Sequence, residues 1–306
     1  MSFVVPDDAV LVADGGLATE LEARGNDLSD ALWSARLLMD APGQILDAHL
    51  AFFAAGAVIA TTASYQASFE GFARRGLNRR EATGLMRRSV DLARAARDQV
   101  AEDGRVRWVA ASAGPYGAAL ADGSEYRGRY GLSVRELVAW HRPRLEVLAE
   151  AGPDVLALET VPDVDEAQAL VTAIGGLGVP AWLSYTIAGG RTRAGQSLAD
   201  AFAVAKGVRE VVAVGVNCCA PADLPEAIRT AREVTGKPVI VYPNSGEEWD
   251  AQRRGWAGHS QYSATGPHQW IEAGASIVGG CCRVRPADIA QIAQTVHQDW
   301  ARPDGQ

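Results

Sequence analysis

Four cysteines stand at positions 218, 219, 281 and 282 of a 306-residue chain, as two adjacent doublets in its last third. Thiols spaced this way suit metal binding or redox chemistry better than structural disulfides, because no leader-like segment opens the sequence. Brought together, Cys218, Cys281 and Cys282 supply three sulfur ligands to a tetrahedral ion at about 2.3 Å and leave one position open, the arrangement of a catalytic centre. Soft thiolates select Zn2+ over magnesium or calcium. Neighbours in a regular strand point to opposite faces, so Cys281 and Cys282 must sit where the chain leaves the pleat, and Gly279 and Gly280 permit that bend. The same alternation turns Cys219 away as a small buried residue. A reversible Cys281–Cys282 redox pair is the rival use of these residues.

Thiols so far apart in the chain need a scaffold that reunites them. Short apolar runs at 9–13, 57–61, 108–113, 155–158, 181–185, 211–216, 239–242 and 276–279 read as strands. Helical spacing of apolar residues fills 44–55, 79–102, 134–151, 164–173, 198–206, 221–234, 267–273 and 286–300. Eight strand and helix alternations favour an α/β fold, a (β/α)8 TIM barrel formed as a single domain over 1–306, ahead of a doubly wound sheet. The longest connections follow the first three strands, and the one at 114–133 is rich in Gly, Tyr and charge, as segments covering a site often are.

Barrel enzymes place their chemistry at the carboxyl ends of the strands. The residues just past each run are Asp14 with Gly15 and Gly16, then 62–66, 114–117, Glu159 with Thr160, Tyr185 with Thr186, Asn217 with Cys218, 242–244, and Cys281 with Cys282. Asp14 and Glu159 suit an amino group, or else a helix cap and an arginine. Gly15 and Gly16 let backbone N–H groups approach a carboxylate, or simply make a turn.

With 48% apolar residues the chain is large enough for a substantial core. A formal charge of -8 with scattered basic residues argues against nucleic acid, and no apolar run reaches the roughly 20 residues of a membrane span. A cytoplasmic protein is the expectation. The five histidines fall mainly in expected helices and read as structural or surface residues. The segment TIAGGRTRAGQSL from Thr186 has a phosphate-loop look but lacks the Lys-Ser/Thr ending of a nucleotide P-loop.

At these positions the chain resembles the homocysteine S-methyltransferases that use S-methylmethionine or S-adenosylmethionine. The likeness runs through DGGLATELEARG from Asp14, TTASYQAS from Thr61, GPYGAALADGSEYRG from Gly114, ETVPD from Glu159, GVNCCAP from Gly215, VYPNSGE from Val241 and GGCCR from Gly279. GVNC together with GGCC is the specific pair. The resemblance implies a (β/α)8 barrel, zinc on Cys218, Cys281 and Cys282, and L-homocysteine as methyl acceptor in methionine biosynthesis. It also implies amino-group contacts from Asp14 and Glu159, with Gly15, Gly16 and Asn217 among the substrate-binding residues. The related betaine-dependent branch carries an aromatic where Thr160 stands, which points here to a sulfonium donor. Aromatic faces attract such a cation, and Tyr65, Trp33, Tyr116 and Tyr126 are the candidates.

Two other readings use the same residues. A phosphate-binding barrel aldolase or isomerase needs, in its Schiff-base form, a lysine at the barrel mouth, whereas Lys206 and Lys237 fall in a helix and before a strand. A non-catalytic zinc-binding barrel would hold the ion without meeting a substrate. Oligomeric state is not encoded in any motif.

Overall fold

The computed structural model describes residues 3–28, 34–250, 255–257 and 266–300. Eight parallel strands form one sheet: β1 (Leu11–Val12), β2 (Ile59–Thr61), β3 (Trp108–Ala113), β4 (Val155–Val161), β5 (Ala181–Tyr185), β6 (Val211–Asn217), β7 (Val239–Tyr242) and β8 (Ile277–Val278). Neighbours pair in chain order and β8 returns to β1. A parallel bridge between Ala13 and Ile59, flanked by Val58 N–H to Val12 O at 2.8 Å, joins β1 to β2 and closes the ring. The chain is thus an α/β barrel, as the alternation of runs implied.

The expected strands all form, with shifted ends. β1 and β8 are two residues each, because curvature at the closing seam leaves few residues in regular pairing. β4 and β6 run past their apolar cores to Val161 and Asn217, so polar site residues belong to the strands themselves.

Outside the barrel the principal helices include α3 (Pro42–Ala54), α5 (Arg79–Gln99), α7 (Val134–Glu150), α8 (Val164–Ile174), α10 (Leu224–Thr235) and α12 (Pro286–Trp300), numbered along the chain. Capping boxes start two of them, Asn78 with Glu81 on α5 and Ser133 with Glu136 on α7. Short helices α1 (Leu17–Ala23), α4 (Phe69–Ala73) and α6 (Tyr116–Leu120) lie in the long connections, where apolar periodicity is too brief to announce them. The segment after Thr186 is a hairpin pairing Ile187–Ala188 with Arg191–Thr192, not a phosphate loop. Among the described residues no helix is long and apolar enough to cross a membrane.

The barrel interior alternates small and large side chains. Ala110, Ala157 and Ala213 make room for Trp182 and Tyr242, and Phe3 stands edge-on to Trp108 at 5.7 Å. Trp182 Nε1 donates to the Tyr242 hydroxyl at 3.0 Å, and that hydroxyl donates in turn to Glu159. The packed core of the barrel therefore reaches directly into its mouth.

Candidate metal and substrate site

The three thiols meet. The sulfurs of Cys218, Cys281 and Cys282 lie within 4.8 Å of one another at the ends of β6 and β8. Backbone hydrogen bonds set their positions: Cys218 N–H to Tyr242 O at 3.2 Å and Cys281 N–H to Pro243 O at 2.7 Å. Cys282 N–H donates to Asn244 Oδ1 at 3.1 Å, and Ser245 N–H to Cys282 O at 3.0 Å. The VYPNS stretch at the end of β7 is the template on which both cysteine segments rest. Cys218 itself takes a left-handed conformation, φ 49°, which swings its side chain out of the strand pleat.

Cys218 and Cys281 are joined as a disulfide, with their α-carbons 5.6 Å apart, and Cys282 is free. A disulfide and a three-sulfur metal centre are alternative uses of the same atoms, and the rival use of Cys281 and Cys282 as a redox pair is not the pairing seen. Reduced, the trio is a group that can hold a metal ion. Burial, with Glu22 nearby, pushes the Cys282 thiol up to about 12, so an ionised sulfur there calls for a cation beside it. Cys219 lies apart, buried in the outer core, where burial raises its thiol far above the ordinary range.

Asp14 and Glu159 stand at the same mouth as buried carboxyls. Asp14 accepts from Thr61 N–H at 2.7 Å and from Thr61 Oγ1 at 2.9 Å, while Ser112 Oγ and Tyr242 donate to Glu159. Burial dominates both and pushes Asp14 up to about 8, with Glu159 adding repulsion, and Glu159 up to about 7. Asp14 does not cap α1, whose cap is Gly16, and among the described residues neither carboxyl has an ion-pair partner. Thr61 and Ser112 were missed in the sequence; each is a polar residue inside an otherwise apolar strand, and that was the available signal.

The glycines divide. Gly16 N–H donates to Val284 O at 2.9 Å and is spent within the protein, while a side chain at Gly16 would come within 2.5 Å of Cys281 O. This glycine allows close packing under the cysteine segment. Gly15 N–H has no protein acceptor among the described residues. The carboxamide of Asn217 is buried and bonded to Thr160 and Ser184.

Of the aromatics, Tyr65 packs its ring on Gly114 and hydrogen-bonds Thr160, with Glu159, Glu125 and Tyr126 close by. Tyr126 is 39% exposed, faces Cys282, and carries the Arg193 guanidinium 5.4 Å over its ring. Tyr116 instead packs into the helical layer against Tyr130 and Trp140, at 5.2 and 5.1 Å, because Glu166 takes its N–H and pulls it there. Trp33 and His259 lie outside the described residues.

The loop over the mouth is tied down from behind. Glu166, fully buried on α8, accepts from Tyr116 N–H, contacts His141 Nε2 at 2.9 Å and accepts from Tyr130 at 3.2 Å. Asp163 accepts from Arg129 N–H at 2.9 Å, and the Arg129 side chain reaches Ala194 O at 2.7 Å. His141 and His49 are buried and structural, in keeping with their sequence reading.

The family model described as homocysteine S-methyltransferase matches residues 11–296. Homocysteine S-methyltransferase YbgG of Bacillus subtilis (strain 168) is 45% identical over 304 residues, covering 96% of this chain and 95% of that protein. Homocysteine S-methyltransferase of Escherichia coli (strain K12) is 45% identical, covering 92% and 94%. The crystal structure of the Escherichia coli homocysteine methyltransferase MmuM in its metallated form matches with a TM-score of 0.85 and 42% identity, over 94% of this chain and 96% of that one. Its oxidized form matches with a TM-score of 0.84 and 43% identity, over 93% and 95%. Matched along nearly all of its length, the chain belongs to the homocysteine S-methyltransferase family, a family of methyl-transferring enzymes.

Proposed function

We propose that this enzyme moves a methyl group from a sulfonium, S-methylmethionine or S-adenosylmethionine, to the sulfur of L-homocysteine, giving methionine. The observation that carries the reading is the placement of three convergent sulfurs beside two buried carboxyls that lack a cation. Cys218, Cys281 and Cys282 would hold Zn2+, whose preference for thiolate ligands fits this donor set. When bound, the ion supplies a Lewis acid that keeps a thiol of ordinary pKa, about 8.5, ionised at neutral pH.

The protein's own groups orient the acceptor. Asp14 and Glu159 take the homocysteine ammonium by charge-assisted hydrogen bonds, and the Gly15 N–H is free for its carboxylate. Tyr65 and Tyr126 face the donor's positive centre. The homocysteine thiol loses its proton to solvent, its sulfur attacks the methyl carbon in line, and the donor C–S bond breaks. Its electron pair returns to the donor sulfur, which leaves as a neutral thioether. No acid or base acts at carbon, so the rate gain comes from holding the partners in line. The reading places the enzyme in the cytoplasm, where thiols stay reduced.

The test is to supply reduced, zinc-loaded protein with homocysteine and each sulfonium in turn and to assay methionine. No methionine from either donor would overturn the reading and favour a barrel that only stores metal.

A further inference from the structure

We infer that Glu125 is the anionic contact for the sulfonium of the methyl donor, and thus a specificity-determining residue for the reaction proposed above, on which this inference rests. Glu125 lies on the single turn Ser124–Tyr126 in the loop after β3. That turn is held rigidly: a side chain at Gly117 would come within 2.5 Å of Glu125 N, and Ser124 beneath it is buried. The Glu125 Oε2 atom is buried without a hydrogen-bond partner among the described residues. A buried carboxylate oxygen left this way costs free energy that a cationic ligand would offset.

The surroundings say which cation. Glu125 lies near enough to Tyr65, Tyr126 and Cys282 to act on each electrostatically. Asp14 and Glu159 are already matched to the acceptor's ammonium. Glu22 also faces Cys282, but it has Arg283 to balance it. Arg193, the cation near this turn, stacks over Tyr126 and forms no ion pair with Glu125. Burial raises the Glu125 carboxyl above its ordinary range, as expected for a charge without a partner.

A carboxylate beside a sulfonium has a specific kinetic consequence. The positive charge is full in the bound donor and fades as the methyl leaves, so the contact favours the ground state over the transition state. Loss of the charge therefore shows in donor KM and not in kcat.

The experiment uses the reduced, zinc-loaded full chain and its Glu125→Gln variant, with folding checked by circular dichroism and thermal melting. The variant is expected to raise KM for S-methylmethionine by about tenfold or more. It leaves homocysteine KM within about twofold and kcat unchanged or slightly higher. Binding of trimethylsulfonium, which has the charge but no amino group, is followed by calorimetry without turnover and weakens by a similar factor. The inference is overturned if a folded variant binds trimethylsulfonium as the wild type does, or if S-methylmethionine suffers while trimethylsulfonium does not, since the carboxylate then meets the donor's ammonium. Wild-type protein that makes no methionine would sink the functional reading alone, and the trimethylsulfonium comparison would still decide the contact.

Discussion

The carboxamide of Asn217 closes a two-bond ring on Thr160: Oδ1 accepts from Thr160 N–H at 2.8 Å, and Nδ2 donates to Thr160 Oγ1 at 2.7 Å. Thr160 is a β-branched residue with φ 58°, a conformation costing on the order of 1–3 kcal/mol and maintained only where its surroundings hold it. Glu159 and Cys218, the residues adjoining this pair in sequence, are a candidate ammonium contact and a candidate metal ligand. The clamp thus links the two halves of the site through one side chain.

Replacing Asn217 by Ala takes its carboxamide away from the Thr160 N–H and from the buried Thr160 and Ser184 hydroxyls, and releases the strained turn. The expected loss is about 2–4 kcal/mol of stability, with a lower melting temperature. Homocysteine KM rises more than donor KM, because Glu159 moves with the turn. Equal changes in both, measured in a steady-state assay, would show that the clamp does not govern acceptor geometry.

Single Cys218→Ala, Cys281→Ala and Cys282→Ala variants are each expected to lose bound zinc and to lose turnover by more than about 100-fold together. Cys219→Ala is expected to keep both. Oxidised wild type, with Cys218 and Cys281 paired, binds no ion and regains about one per chain on reduction. Elemental analysis alongside thiol titration checks all of these, and full occupancy in Cys282→Ala would remove that residue from the ligand set.

Asp14 and Glu159 make ligand binding depend on pH. Their folded-state values, about 8 and about 7, lie above those of an unfolded chain. The folded protein therefore holds protons that the unfolded chain has released, and these groups' contribution to stability falls as pH rises from about 4 through 7 and 8, then levels off. An ammonium ligand requires the ionised acids. Methionine, whose thioether does not titrate, should bind roughly tenfold or more tightly at pH about 8 than at about 6. Asp14→Asn with Glu159→Gln should flatten the profile in a calorimetric titration.

Glu166→Ala removes the buried acid that accepts from Tyr116 N–H and Tyr130 and that lies electrostatically near the buried Arg144, whose Nε and Nη1 have no partner among the described residues. A loss of about 3–5 kcal/mol is expected in urea unfolding. The loop carrying Tyr116 loosens as well, which limited proteolysis between residues 114 and 133 would register.

Periodicity and spacing determined much of this. Apolar runs of strand length alternating with amphipathic stretches specified the barrel, because a parallel strand buried on both faces has little sequence freedom. Cys218, Cys281 and Cys282 were legible as a trio because reactive residues directly after strands must meet at one end of a barrel. What the tertiary structure decided was direction. Asn217 turned inward to Thr160, Gly16 spent its amide on Val284, and Tyr116 left the mouth for Trp140. Each outcome depends on which partner across the barrel reaches a polar group first, and such partners lie tens of residues away. Linear spacing places a residue at a strand end; only the packed neighbours determine whether its side chain meets a ligand or the protein.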